Sequence, residues 1–104
     1  MRRAALVQYQ ANAHSAEENR SLIEDVVAEL AVRDLGGLDY QVFQFEEGLG
    51  FLHVAAFDGT SDPFVDCDAY RQFHRDLQKR LAAPPIITRA VLIGSYFGSR
   101  WGHE

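Results

Sequence analysis

Two periodicities follow one another along the chain and predict four strands and two helices. In some segments apolar or β-branched residues alternate or run together, which is typical of strands; in others apolar residues recur every three or four positions, as on one face of a helix. The strands are predicted over residues 3–10, 38–45, 50–57 and 86–97, and the helices over residues 16–34 and 67–82.

Turn and cap residues separate these segments at the expected places. Ser15 and Glu18 have the spacing of a capping box at the start of the first helix. Gly36 and Gly37 end that helix, and Glu46-Glu47-Gly48 is a hairpin-like turn between two strands. The order β-α-β-β-α-β predicts a ferredoxin-like α+β fold, with four antiparallel strands in one sheet and both helices on one face.

The predicted third strand, FLHVAAF, is apolar on both of its faces. Phe51, His53 and Phe57 point to one side, while Leu52 and Val54 point to the other. In a sheet with one solvent-exposed face, apolar and polar residues would alternate along each strand instead. Two helices can cover only one face, so we predict that a second copy of the chain covers the other face and forms a two-fold homodimer.

Length and composition fit one globular domain. The chain has 104 residues, of which 47% are hydrophobic and 24% charged, a composition typical of folded domains. We expect a single domain over residues 1–104, with a core of about 3–97 and a C-terminal tail of 98–104. The single cysteine, Cys67, excludes an intrachain disulfide, and no zinc-site spacing is present, so no metal is expected.

Charge and hydropathy narrow the range of partners. The net charge is −5, and the basic residues of the segment RQFHRDLQKR are interrupted by Asp76 and by apolar positions. Nucleic-acid binding would need a basic stripe, so it is not expected. No run of about 18 apolar residues and no signal-peptide pattern occurs, which predicts a cytoplasmic protein that does not span a membrane.

The chain is similar to the antibiotic-biosynthesis-monooxygenase-like group of proteins. The features shared with that group are the element order, the two apolar sheet faces and the segment FHRDLQKRLAAPPIITRAVLIGSYF, with GSY near its end. The similarity covers residues 3–97. It implies a dimeric α+β barrel, with a cavity between the sheet and the helices or loops of each monomer. Some members of the group oxidise aromatic polyketides with O₂ and no cofactor, others bind and degrade haem, and many have no known activity.

Two histidines are the candidate catalytic residues. His53 would face the barrel interior if Leu52 and Val54 face the helices, and a histidine there is expected to titrate near neutral pH and to take or give a proton. His74 lies one turn after Tyr70 at the edge of the apolar stripe of the second helix. Both have a simpler interpretation: His53 as a core histidine with a hydrogen-bond partner, and His74 as a half-exposed surface residue.

Aromatic side chains are candidates for lining a substrate cavity. The proposed substrate-binding residues are Tyr9, Phe43, Phe51, Phe57 and Tyr70. Strand tyrosines such as Tyr9 and Tyr40 combine an apolar body with a hydroxyl, although core tyrosines have the same properties without a functional role. Asn19, among the apolar positions of the first helix, is expected to cap or to hydrogen-bond locally.

Three functions are compatible with these sequence features. The first is a cofactor-independent monooxygenase that acts on an aromatic small molecule. The second is a non-catalytic protein of the same fold that binds a small apolar ligand or serves as an accessory. The third is haem degradation, for which the similarity implies a set of Asn, Trp and His residues. The first strand carries Gln8 and Gln10 instead of Asn, and the only tryptophan is Trp101 in the tail. Only His74 lies in a comparable region, so two of the three residues do not match.

Overall fold

The computed structural model describes residues 2–34, 36–59 and 62–98, and the predicted tail with Trp101 lies outside them. Its elements are the strands β1 Arg2–Gln10, β2 Leu38–Gln44, β3 Gly50–Phe57 and β4 Ile86–Leu92, and the helices α1 Ala16–Arg33, α2 Asp68–His74 and α3 Leu77–Arg80. A 3-10 turn, Ala13–Ser15, precedes α1. The four strands form one antiparallel sheet in the order β2-β3-β1-β4, which confirms the ferredoxin-like α+β fold.

Strand register decides which side chains face the helices. Tyr9 on β1 pairs with Phe51 on β3, and Val7 pairs with His53, so these side chains share one face of the sheet. On β2, Val42 pairs with His53 and belongs to the same face. This is the face on which the helices pack, and its side chains make up the main apolar core.

The opposite face of the sheet, hereafter the open face, is not covered by any helix of residues 2–34, 36–59 and 62–98. Leu6 and Leu52 are half-buried on it, and Phe43 is 49% exposed. Ile86 on β4 is 65% exposed, so this edge strand is also largely uncovered.

Among the described residues, no helix has the length and apolar character needed to cross a membrane.

The second helix is broken where one continuous helix was predicted over residues 67–82. The helix α2 ends at His74, Arg75 is extended, and Asp76 adopts a left-handed conformation with φ of 60°. Aspartate tolerates this conformation better than most residues because its short polar side chain can bond locally. The break leaves the last carbonyls of α2 free, and Arg80 of α3 donates hydrogen bonds to the carbonyls of Phe73 and Arg75.

Two further boundaries differ from prediction. The expected capping box is absent, because Ser15 makes no side-chain cap bond and closes a 3-10 turn instead. The fourth strand ends at Leu92 rather than at residue 97. Leu92 pairs with Arg2, the first residue of β1.

Candidate functional site

Five polar side chains form a buried chain of hydrogen bonds between the sheet and the helices. Arg80 Nε donates to Asn19 Oδ1 at 3.0 Å, and Asn19 Nδ2 donates to the hydroxyl oxygen of Tyr9 at 2.9 Å. The Tyr9 hydroxyl is 2.7 Å from His53 Nε2, and the Tyr40 hydroxyl is 2.8 Å from His53 Nδ1. Both ring nitrogens of His53 are therefore hydrogen-bonded to tyrosine hydroxyls.

The sheet and two helices bring this polar chain together. Tyr9, His53 and Tyr40 lie on the three neighbouring strands β1, β3 and β2, with their side chains on the helix face. Asn19 lies four residues before the buried Ile23 on α1, so it shares the inward stripe of that helix. The break before α3 lets Arg80 reach the same place, where only 4% of its surface is exposed.

The direction of the first bonds is fixed by chemistry. A guanidinium group has N–H donors and no acceptor, so Arg80 must donate to the side-chain oxygen of Asn19. This orients the Asn19 amide with its nitrogen toward Tyr9, and the Tyr9 oxygen must accept that bond. Asn19 is fully buried, and its amide orientation is thus set by its two partners.

The remaining hydrogens can be placed in two ways. In one, Tyr9 donates to Nε2 of neutral His53, and the Nδ1–H group donates to Tyr40. In the other, Tyr40 donates to Nδ1 and the Nε2–H group donates to Tyr9, whose own hydroxyl hydrogen then has no acceptor among the described residues. Tyr9 is only 5% exposed, and a buried donor without a partner costs about 1–3 kcal/mol. The first arrangement, with the proton on Nδ1, leaves unpaired the hydroxyl hydrogen of Tyr40 instead, and it is favoured because Tyr40 is only half-buried.

Burial keeps this polar chain uncharged between Asn19 and Tyr40. Desolvation lowers the pKa of His53 to about 4, with a smaller contribution from His74. Desolvation also raises the pKa of Tyr9 to about 12 and raises the pKa of Tyr40 further. At neutral pH, His53 is thus a neutral imidazole between two protonated phenols.

The buried imidazole predicts a stability loss in acid. In the unfolded chain His53 has the ordinary histidine pKa of 6.5, and in the folded chain its pKa is about 4. As the pH falls, the unfolded chain therefore binds the proton before the folded chain does. The folded state is therefore destabilised progressively from about pH 6.5 down to pH 4, by about 2–3 kcal/mol at pH 4.5. Urea unfolding at pH 7.5 and pH 4.5 measures this loss.

The matched variant is His53→Asn, whose side chain does not titrate. Its free energy of unfolding is expected to fall by about 2–3 kcal/mol less than that of the wild type between the two pH values, whatever its stability at pH 7.5. An equal loss in both proteins would contradict a neutral, buried His53.

The predicted pair on α2 forms a second polar contact. His74 Nε2 lies 2.9 Å from the Tyr70 hydroxyl, on an exposed part of the helix. Burial lowers the pKa of His74, and the nearby charge of Arg80 lowers it further. The Tyr70 ring stacks on Phe64 with centroids 4.4 Å apart, and Phe64 meets the edge of Tyr40 at 5.2 Å. Aromatic contacts thus connect this pair to the polar chain.

Two adjacent cavities lie along α1 where it crosses the edge strand β2. The larger, of about 400 Å³, is lined by Arg20, Ile23, Glu24, Val27, Ala28, Val42, Gln44 and Phe51. The smaller, of about 250 Å³, is lined by Val27, Leu30, Ala31, Asp34, Leu38 and Tyr40. Because they share Val27, we treat them as one feature, hereafter the α1–β2 groove. Tyr40 thus belongs to the wall of this groove and to the buried polar chain.

The structure brings some of the predicted site residues together and separates others. Tyr9, His53 and Phe51 are neighbours, and the Phe51 ring stacks on Tyr9 with centroids 5.6 Å apart. Phe43 lies on the open face, away from the groove, and Phe57 lies at the far end of β3. His53 faces the helices and not a barrel interior, because the register places its side chain on the same face as Tyr9.

Two members of the polar chain were not foreseen in their observed role. Asn19 was expected to bond locally on α1, but its partners lie on β1 and α3. Arg80 had no predicted role. Within residues 2–34, 36–59 and 62–98, no three His, Cys, Asp or Glu side chains converge in a way that could hold a metal ion.

Comparison with solved structures gives close matches in fold at low identity. Rv0793 from Mycobacterium tuberculosis matches with a TM-score of 0.72 and 12% identity, over 91% of this chain and 98% of that one. A protein from Nitrosomonas europaea, named "Putative antibiotic biosynthesis monooxygenase", matches with a TM-score of 0.72 and 11% identity, over 88% of this chain and 90% of that one. A protein of the same name from Deinococcus radiodurans matches with a TM-score of 0.64 and 18% identity, over 94% and 98%.

These matches confirm, at the level of fold, the predicted similarity to the antibiotic-biosynthesis-monooxygenase-like group. No protein-family model and no curated protein matches the sequence. At identities of 11–18%, the matches describe the fold and not the chemistry of its sites.

Proposed function

We propose that the protein binds a small aromatic molecule in the α1–β2 groove and oxidises it with O₂ without a cofactor. One observation carries the proposal: Tyr40 lines the groove and is hydrogen-bonded to the buried His53. Cavities that bind small molecules are mostly apolar and contain a few oriented polar groups. The larger cavity is lined by Ile23, Val42 and Phe51 and the smaller one by Tyr40, whose hydroxyl is held by its hydrogen bond to His53.

The proposed reaction needs no oxidant other than O₂. An electron-rich aromatic ring, such as that of a phenol, forms a bond from a ring carbon to one oxygen atom of O₂. Cleavage of the O–O bond leaves that oxygen on the ring as a carbonyl, and the second oxygen departs as water with the two hydrogens lost from the ring carbon and the phenol. The substrate supplies the electrons, and the protein holds the ring and its oxygen in place.

A second candidate is binding without turnover, and one observation favours it. Both nitrogens of His53 are occupied by protein hydroxyls, at 2.7 and 2.8 Å, so neither is free to take a proton from a ligand. In this case the groove would hold the same class of molecule, and Tyr40 would only orient it.

We further propose that the protein is a homodimer joined through the open face. The centre of this face is uncharged and includes Leu6, Leu52 and Val54. Charged groups lie at its ends, where Arg2 pairs with Asp39. An uncharged centre with charges at its rim suits an isologous contact, in which the same surface meets itself.

Binding of 1-naphthol without O₂, followed by O₂ uptake after aeration, tests the function. Tyr40→Phe keeps the apolar wall and removes the hydroxyl, so we expect about tenfold weaker binding. Tyr96→Phe is the matched control, because Tyr96 is 90% exposed and outside the groove. It is expected to behave as the wild type.

The outcomes separate the two candidates. Binding with O₂ uptake supports the oxygenase, and binding without uptake supports the non-catalytic protein. Val27 is shared by both cavities, so Val27→Trp is expected to block the groove. Binding that is unchanged in Val27→Trp would place the ligand elsewhere and contradict both candidates.

A further inference from the structure

We propose that Arg80 and Asn19 set the direction of the buried hydrogen-bond chain, so that Tyr40 presents a hydrogen-bond donor to the α1–β2 groove. A ligand would then place an acceptor there, either a carbonyl oxygen or a phenolate oxygen. The ligand part of this inference rests on the proposed function, because it assumes that a small aromatic molecule occupies the groove.

The direction originates at Arg80. This buried guanidinium donates to Asn19 Oδ1 at 3.0 Å, to the carbonyl of Phe73 at 2.7 Å and to the carbonyl of Arg75 at 3.2 Å. No carboxylate lies within ion-pair distance of it among the described residues. Since the cation can only donate, the next group must accept, and the amide of Asn19 is held in one orientation.

The direction passes through Tyr9 to His53. The Tyr9 oxygen accepts from Asn19, and the only other group within hydrogen-bond distance among the described residues is His53 Nε2. The Tyr9 hydrogen therefore goes to Nε2, because no other arrangement gives this buried hydrogen an acceptor. The imidazole proton then lies on Nδ1 and is donated to the Tyr40 oxygen.

Tyr40 is the residue that the polar chain and the groove have in common. The Tyr40 oxygen accepts from His53, so its own hydrogen points away from the imidazole and has no acceptor within the described part of the chain. Tyr40 also lines the smaller cavity of the groove. A ligand with an acceptor at this point satisfies the hydroxyl, whereas a purely hydrocarbon ligand leaves it unpaired, and that difference is the basis of selectivity.

The tautomer of His53 tests the direction without any ligand. In ¹⁵N-histidine-labelled protein at neutral pH, two-bond ¹H–¹⁵N correlations distinguish a protonated ring nitrogen from an unprotonated one. We expect His53 to be protonated on Nδ1 only. Protonation on Nε2 only, or on both nitrogens, would overturn the inference.

Asn19→Asp is designed to reverse the chain with little change in shape. One oxygen of the new carboxylate would still accept from Arg80, but the other could only accept as well, so Tyr9 would donate to it. His53 would then be protonated on Nε2, and Tyr40 would donate to Nδ1. Gln72→Glu is the charge-matched control on the exposed face of α2, and it is expected to keep the wild-type tautomer. An unchanged tautomer in Asn19→Asp would show that Asn19 does not set the direction.

The ligand class is tested with acetophenone and ethylbenzene, which have similar shape but differ in the carbonyl acceptor. We expect Asn19→Asp to bind acetophenone about tenfold more weakly than the wild type and ethylbenzene equally well. An equal change for both probes would overturn the ligand part of the inference. If the wild type binds 1-naphthol but neither of these probes, the ligand part fails and the proposed function stands; if it binds none of the three, both fail, while the tautomer still decides the direction by itself.

Discussion

Replacement of Arg80 with methionine is expected to lower the free energy of unfolding by about 3 kcal/mol. Methionine matches the length of the arginine stem and removes the charge from a site that is 4% exposed. When a buried charged residue and its partners are all replaced by apolar residues, the stability of the folded state often stays the same. Here the partners remain, and the oxygens of Asn19, Phe73 and Arg75 lose their donor. Each buried acceptor left unpaired costs about 1–3 kcal/mol, offset in part by removal of the buried charge.

Urea denaturation at pH 7.5 measures this loss, with Arg75→Met as the matched control. Arg75 is exposed and takes part through its backbone carbonyl alone, so its replacement is expected to change stability by less than about 0.5 kcal/mol. Equal stability of the Arg80 variant and the wild type would show that water reaches these three oxygens, and that Arg80 does not tie α3 to α1.

Replacement of Val54 with lysine is expected to convert the proposed homodimer into a monomer. Val54 lies near the centre of the open face, beside Leu6 on β1. Two-fold symmetry would bring each substitution into the contact in duplicate, and burying two like charges costs several kcal/mol. A loss of about 4 kcal/mol would weaken dimerisation by about a thousandfold.

Native mass spectrometry and analytical ultracentrifugation over a range of protein concentrations measure the association. Val65→Lys is the control, because Val65 is 63% exposed and lies in the loop before α2. It should dimerise as the wild type does. A wild type that is monomeric at all concentrations, or a Val54 variant that stays dimeric, would contradict association through the open face.

The order of elements was predictable because each segment carries its own periodicity. The face of the sheet on which His53 lies was not predictable. The strand β3 is apolar on both sides, and only the position of the helices decides which side faces the core. The break at Asp76 was also hidden, since the stripe formed by Tyr70, Phe73 and Leu77 continues through it without a change of phase.

Part of the buried polar chain had a visible signal in the sequence. Asn19 is in helical phase with the apolar Ile23 and Val26, and Arg80 follows Phe73 by seven residues, which is two helical turns. Polar residues on an apolar stripe suggest buried hydrogen bonds. Their pairing could not be predicted, because Asn19 and Arg80 are 61 residues apart in the chain and meet only when α1 packs near α3.

The sheet assigns alternate residues of β3 to different tasks. His53 belongs to the buried polar chain, while its neighbours Leu52 and Val54 belong to the open face. Substitutions expected to alter the proposed ligand preference and those expected to alter the proposed assembly therefore fall on separate sets of codons, so that each property could change while the other is kept. An inserted or deleted residue within β3 would exchange the two sets and damage both properties at once.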